Sequence, residues 1–368
     1  MLQKNYTVYT TEENPFEQMC QILLSQIDRE SNVIKIVFFG PPQNNEEYLN
    51  QLDIINKCTK EHFKEQCPLV SYVSQKPLKG MLNAEVVTIT PDKNVRLIFG
   101  ENYLVLENEV SRELITAGIL PPDISATPLV QSHAVFTQVE AILSREKFPI
   151  NSIVRQWNYI ENISLFTNEF QNYQAFNDAR SHFYVKTDWP LGYPAATGIG
   201  TQSGGIMVEV VALTGEGIIN RALDNPLQIA AHKYSQGVLL GAIDPCTQQR
   251  TTPKFERGRM VGIAGKQTIY ISGTAAIRGE TSLIADDVTE QTRITMENID
   301  HLIAPVRSQE SGTCFEYKLL RIYVKNPSQM EDVRTYMKAY YPDIKKIYIC
   351  ADICRDELLV EIEGVASF

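Results

Sequence analysis

The sequence predicts an α+β protein of tandem, similar units, each a mixed sheet with helices packed on one face. Three observations predict it. Runs of β-branched and aromatic residues alternate repeatedly with segments of helical spacing. The element order from about 95 to 213 recurs from about 255 to 366. Both stretches close on matching strands, with Ile206-Met207-Val208-Glu209-Val210-Val211 lying over Leu358-Leu359-Val360-Glu361-Ile362-Glu363.

The elements follow in order. Val33–Phe39 reads as a strand that stops at Gly40-Pro41-Pro42. Asn45–Gln66 reads as a helix with Leu49, Leu52, Ile55 and Phe63 near helical spacing. Pro68–Ser74 and Ala84–Ile89 are strands. Val95–Phe99 and Tyr103–Leu106 pair across a turn at Gly100-Glu101-Asn102. Leu129–Leu143 and Asn168–Tyr184 are helices; Ile153–Tyr159 and Ile206–Leu213 are strands. Thr214–Pro253, with Pro226 and Pro245, reads as a connector holding one short helix. Strand Ile269–Ser272, helix Val288–Ile303, strand Phe315–Val324, helix Pro327–Tyr340 and strands Lys346–Ala351 and Leu358–Gly364 complete the chain. This divides it into an N-terminal partial unit (1–94), a middle unit (95–215), a connector (216–253) and a C-terminal unit (254–368). The stretch 33–90 has the order of a unit's second half.

Composition narrows the function. With 368 residues, 43% hydrophobic and 21% charged, the chain can bury a core without metal or disulfide staples. It carries 34 basic and 44 acidic residues, a net charge of −10, which argues against a nucleic-acid partner. An anionic small molecule remains compatible, because a few arginines can reverse the field inside one cleft. Seven cysteines, at 20, 58, 67, 246, 314, 350 and 354, form no CxxC pair and read as reduced thiols. The polar N-terminus lacks an apolar signal core, and no apolar run is long enough for a membrane span, so a cytoplasmic location is expected. No GxGxxG follows a strand, no phosphate-binding GxxxxGK[ST] is present, and the five histidines are isolated; neither a cofactor nor a metal is expected.

Several segments then resemble a known fold. Ile271-Ser272-Gly273-Thr274-Ala275-Ala276-Ile277, Gly279-Glu280, Asp287-Val288-Thr289-Glu290-Gln291-Thr292-Arg293 and Glu297-Asn298-Ile299 are similar to the RidA/YjgF (chorismate-mutase-like) fold. The resemblance is closer to the chorismatases, which carry such units in one chain. It rests on Phe39-Gly40, Pro68–Val73, Val154–Ile160, Phe176-Asn177 with Arg180, Tyr193–Gly200, Pro253–Arg257, Ser272–Ala275 and Asp352–Gly364, in that order. It implies cleavage of the enol ether of chorismate with release of pyruvate, and no cofactor. The alternatives are a RidA-like imine deaminase and a non-catalytic small-molecule binder. The deaminase is disfavoured because Lys345-Lys346-Ile347-Tyr348 stands where an Arg two residues before a Cys is expected.

The resemblance places the essential proton donor at Glu361. Alternation puts Glu361 and Glu363 on one strand face, opposite Val360 and Ile362. A carboxyl in a closed, partly apolar cleft holds its proton at neutral pH; the bland alternative is a solvated Glu on an edge strand. Glu209 holds the corresponding slot in the middle unit and reads as structural or vestigial. Arg155 and Arg180 are the expected anchors for substrate carboxylates, because a guanidinium binds a carboxylate through two parallel hydrogen bonds. An internal ion pair is the competing use. Tyr159 and Tyr193 can donate hydrogen bonds to substrate or pack in the core. Thr197, Gly198 and Gly200 allow close backbone approach, or simply form a turn. Arg257 is a weaker candidate. Within the resemblance, Cys354 matches the 3-hydroxybenzoate-forming type and is the second expected catalytic residue, because a thiol near the ring can shape the pocket and shift a proton. Ala275 matches the hydrolytic type, so the two point to different products; Cys354 is otherwise a small buried hydrophobe. Tandem units can fill a trimer-like arrangement within one chain, so a monomer or a homotrimer is expected.

Overall fold

The computed structural model describes residues 3–167, 170–243, 248–263, 265–283, 287–309 and 314–368. Pro245, Cys246 and the expected helix start at Asn168 lie outside them.

The first sheet is formed by β1 (Lys4–Thr11), β2 (Val33–Gly40), β3 (Leu69–Ser74) and β4 (Leu82–Ile89), with α1 (Phe16–Ser25) and α2 (Asn45–Phe63) between them. Its order is β1-β4-β2-β3, with β2 and β3 parallel. Every residue of β2 is buried, as expected for a strand covered on both faces. Asn44 caps α2 by accepting from the Glu47 N–H at 2.9 Å. The buried stripe of α2 runs through Tyr48, Gln51, Ile55, Thr59 and Phe63. Leu49, expected on that stripe, is 44% exposed.

The second sheet contains β5 (Arg96–Phe99), β6 (Tyr103–Glu107), β7 (Ser111–Thr116), β8 (Ile153–Glu161), β11 (Ala195–Thr201) and β12 (Ile206–Gly215). Between them lie α3 (Pro128–Arg145), a ribbon of β9 (Phe166–Thr167) and β10 (Phe170–Gln171), and α4 (Asn172–Tyr184). The third contains β13 (Ile219–Leu223), β14 (Gly258–Ile263), β15 (Lys266–Ala275), β18 (Glu316–Val324), β19 (Lys346–Cys350) and β20 (Val360–Ser367). Its other elements are a ribbon of β16 (Ile277–Arg278) and β17 (Thr281–Ser282), then α5 (Val288–Gln309) and α6 (Met330–Tyr340).

The two larger sheets share one topology. The second runs β5-β6-β7-β12-β8-β11 and the third β13-β14-β15-β20-β18-β19, and each has a single parallel pair, β8–β11 or β18–β19. The first sheet is the same pattern without its two leading strands. One strand of the third sheet, β13, falls within the expected connector. That stretch otherwise holds a short 3-10 turn at Ala231–Lys233.

Helices cover the outer face of each sheet. One apolar cluster joins α1 and α2 to the first sheet, another α3 and α4 to the second, and a third α5 and α6 to the third. The inner faces meet one another. Tyr6, Ile34, Leu104, Val154, Val211, Tyr270 and Val365, from all three sheets, share one cluster. The sheets thus surround a common axis, and a functional cleft can form where two of them meet.

Candidate active site

β20 carries the expected acid. It lies between β15 and β18, with Ala275 opposite Glu361 on one side and Tyr323 on the other. The strand is central, so the solvated edge-strand alternative for Glu361 is overturned; the residue is 6% exposed. Burial first, and the neighbouring Glu363 carboxylate second, push the Glu361 carboxyl up to about 8. It therefore holds its proton at neutral pH.

The backbone of β15 makes room for it. The register of β15 against β20 shifts between Ile271 and Thr274, and the residues of that irregularity are stitched to β11 of the second sheet. Ser272 Oγ accepts from the Ala196 N–H at 3.0 Å and donates to Glu256 O at 2.6 Å. The Gly273 N–H donates to Thr197 Oγ1 at 3.0 Å. Gly273 consequently lies directly against the Glu361 carboxyl, with no space for a Cβ.

Glu363, two residues along the same face, has a different environment. It accepts from the Arg155 and Arg321 guanidinia, the Thr197 hydroxyl, Trp157 Nε1 at 3.1 Å and the Tyr323 hydroxyl at 2.8 Å. Burial works to raise this carboxyl, but Arg155, Arg321 and the hydrogen bonds outweigh it and hold it below its ordinary value. One strand thus presents a protonated carboxyl and an ionised one, a separation set by surroundings alone.

Glu361 opens into a cleft between the second and third sheets, with roughly 840 Å³ of empty space including its open mouth. Arg180, Gly198, Ala275, Cys354 and Arg257 also line it. Arg180 is 2% exposed and donates to Asn177 Oδ1 at 2.5 Å, while its Nε has no partner among the described residues. The Arg257 guanidinium donates to Ile229 O at 2.6 Å and to the Tyr234 hydroxyl at 2.5 Å. Arg355 also lines the site, over the Tyr234 ring at 5.4 Å, and its Nη1 donates to Glu280 O at 2.9 Å and Ser282 Oγ at 3.0 Å. Among the described residues, none of these three arginines has a carboxylate within ion-pair reach. The cleft is cationic inside an acidic chain, and a buried unpaired guanidinium demands an anion.

The remaining expected residues are distributed as follows. Cys354 lines the cleft, and burial, then Glu361, push its thiol up to about 12; it is a neutral thiol, not a thiolate. Gly198 and Gly200 lie in strand β11, not in a turn. A Cβ at Gly198 would meet the Tyr173 ring at 3.0 Å, and one at Gly200 would meet Asp352 O at 2.7 Å, so close approach is what requires them. Thr197 is engaged behind the cleft with Glu363, Arg155 and Gly273. Arg155 is not on the cleft wall: its Nη2 is committed to Glu363 and Thr197, the internal ion pair that was the competing reading. Tyr159 is buried away from the cleft and accepts from Arg321 Nη1 at 2.8 Å. Tyr193 stacks on Tyr184 at 5.8 Å beside the cleft rather than lining it.

The lining residues that were not singled out from sequence include Tyr173, Tyr234, Phe255 and Arg355. Phe255 and Arg355 stand in segments that carry the family resemblance, which was a usable signal. Tyr234 comes from the expected connector, where no motif marks it. Among the described residues no cluster of three His, Cys, Asp or Glu is placed to hold a metal ion, and no helix is long and apolar enough to cross a membrane.

Comparison with known proteins adds a family. Residues 109–212 match the family described as Chorismatase FkbO/Hyg5-like, N-terminal, and residues 259–368 match Endoribonuclease L-PSP. A 3-hydroxybenzoate synthase of Streptomyces hygroscopicus is 29% identical over 263 residues, 68% of this chain and 72% of that protein. A chorismatase of the same organism is 28% identical over 242 residues, 64% of this chain and 66% of that one. A crystal structure of a chorismatase superposes over 99% of this chain and 98% of its own, with a TM-score of 0.69 at 20% identity, so the fold is shared.

Proposed function

We infer, for a chain that belongs to the chorismatase family, that it cleaves the enolpyruvyl ether of chorismate and releases pyruvate. The observation that carries this reading is the Glu361 carboxyl: buried, pushed up to about 8 by that burial, and set in a cleft whose other charged lining groups, among the described residues, are arginines with no carboxylate partner. An enol ether is cleaved by protonating its methylene carbon, and a neutral carboxylic acid is suited to that transfer.

Arg180 and Arg257 hold the two substrate carboxylates. Glu361 gives its proton to the methylene, leaving an oxocarbenium carbon and the Glu361 carboxylate. An oxygen then attacks that carbon and returns a proton to Glu361. If the oxygen is water, collapse of the hemiketal yields pyruvate and a dihydroxycyclohexadiene carboxylate. If it is the substrate's own neighbouring hydroxyl, a cyclic ketal forms. Loss of the ring proton at the ether-bearing carbon, with cleavage of the neighbouring ring carbon–oxygen bond, aromatises the ring. Collapse of the resulting hemiketal, which takes up that proton, gives pyruvate and 3-hydroxybenzoate with no water consumed. Ala275 faces Glu361 across the strand pair and Cys354 lines the same cleft, so both lie where they can shape the room available to the ring. The similarity to a 3-hydroxybenzoate synthase supports the second route.

Chorismate is supplied to the purified protein, pyruvate is followed by a coupled assay, and the other product is separated by chromatography. Pyruvate with 3-hydroxybenzoate supports internal attack, and pyruvate with a non-aromatic diol supports hydrolysis. Pyruvate no higher than in Glu361→Gln sinks the assignment.

A further inference from the structure

The three sheets repeat one arrangement of charge around their common axis. On the inner face, Lys35 pairs across its sheet with Val87, Arg155 with Val211, and Arg321 with Glu363. Two residues along each strand pair, Val37 faces Glu85, Trp157 faces Glu209, and Tyr323 faces Glu361. Lys35, Arg155 and Arg321 are therefore register counterparts, and so are Glu85, Glu209 and Glu361.

The counterparts pair from sheet to sheet in rotation. Lys35 Nζ of the first sheet lies 3.0 Å from Glu209 Oε2 of the second. Arg321 of the third grips Glu85 of the first through Nε at 2.7 Å and Nη2 at 2.9 Å. Rotation assigns Arg155 of the second sheet to Glu361 of the third. Arg155 instead bonds Glu363, a residue whose two counterparts are valines. Glu361 is left as the one carboxyl of the three without a cation, and the one that opens into a cleft.

We propose that Glu363 is a positioning residue that diverts Arg155 from Glu361, and so keeps the acid of the cleft free of the ion pair its two counterparts make. The inference rests on the reading of Glu361 as the acid. The neighbouring contacts support it: Glu363 is also fixed by Thr197, Trp157, Tyr323 and Arg321, so it holds Arg155 from a rigid frame. Facing Glu361 are Glu363 on its own strand, Arg155 from β8, Arg257 ahead of β14, Tyr323 from β18, Tyr173 from α4 and Cys354 ahead of β20. Of the two cations in this set, Arg155 alone is the register counterpart of Lys35 and Arg321, the cations that pair with Glu209 and Glu85, so it is the one with a counterpart's claim on Glu361.

The test is a double-mutant cycle read by titration of the Glu361 carboxyl. Isotope-labelled glutamate carboxyls are followed by NMR against pH, and the Glu361 signal is assigned by its loss in Glu361→Gln. The four proteins are the native chain, Glu363→Val, Arg155→Met and the double variant. Glu363→Val is expected to lower the Glu361 midpoint by more than about one pH unit, a tenfold change. Arg155→Met is expected to raise it about one unit more in the Glu363→Val background than in the native one, because only there has Arg155 turned to Glu361. Simple additivity of the two substitutions, or an unmoved midpoint in Glu363→Val, overturns the proposal. If Glu363→Val does not fold, Glu363→Gln takes its place in the same cycle. The readout needs no substrate, so a failed cycle is distinguishable from a failed chorismate assay.

Discussion

Gly273 lies against the Glu361 carboxyl so closely that a Cβ at position 273 would overlap Glu361 Oε1 and come within 3.1 Å of Thr197 Cγ2. The backbone of one strand thus sets where the acid of the neighbouring strand can sit. The atom that must give way is the tip of a side chain, not backbone. Gly273→Ala is therefore expected to fold and to displace the carboxyl. Turnover should fall about 100-fold, the lower range for loss of a positioned general acid, with a melting temperature close to native. Pyruvate release and a thermal melt on the same preparation check it.

The raised Glu361 carboxyl has two opposite consequences with pH. The acid must be protonated to act, so activity should decline as pH rises through about 8. Stability follows linkage. Between the ordinary carboxyl value of 4.5 and about 8, the folded chain binds a proton at Glu361 that the unfolded chain has lost. The folded state therefore loses stability as pH rises through that window, by on the order of a few kcal/mol. Glu361→Gln should melt higher than native in alkaline buffer, and the gap should narrow toward pH values near 4.5. Melting curves across pH would show a constant gap if the carboxyl were not buried and neutral.

Arg180 separates binding from folding. Its guanidinium is buried with no carboxylate partner among the described residues, so it does not hold the fold through an ion pair. Arg180→Met should raise KM by about 10- to 100-fold, the worth of a charge-assisted hydrogen bond, while the melting temperature is unchanged or higher. Steady-state kinetics with a melt of the same variant decide it; a large loss of stability would assign Arg180 to the core instead.

Cys354 should be chemically quiet. Its thiol is pushed up to about 12 by burial and by Glu361, whereas Cys314 is exposed. Alkylation in mildly alkaline buffer, mapped by mass spectrometry, should mark Cys314 and spare Cys354. Cys354→Ala should still release pyruvate but alter the ratio of aromatic to diol product. Loss of pyruvate release would assign the thiol to the proton transfer itself.

The limits of reading this chain from residues are visible in particular elements. Val33–Phe39 and Phe315–Val324 announce strands because short segments dense in aliphatic and aromatic side chains are a local signal. β1 carries such a run at Tyr6–Thr11, within an N-terminus whose polarity hides it, whereas β11, with two glycines, lacks one. β11 is a strand because its neighbour β8 supplies its hydrogen bonds. Gly198 and Gly200 consequently read as a turn as readily as a close backbone approach. The place of Tyr234 on the cleft was invisible for the same reason: it is tied there by Arg257 and Arg355, which are distant in sequence.

Alternation along one strand was enough to place Glu361 and Glu363 on a common face, and to separate both from Val360 and Ile362. That property is local, because a strand turns its side chains over at every residue. Which of the two carboxyls keeps its proton is not local. Arg155 stands 208 residues from Glu363 and reaches it across a junction of sheets. Charge, unlike pattern, acts through space in a medium that burial makes weakly screening. Tertiary structure alone decided that Arg155 serves Glu363, that Arg180 has no carboxylate partner among the described residues, and that Glu361 is the carboxyl that opens into the cleft.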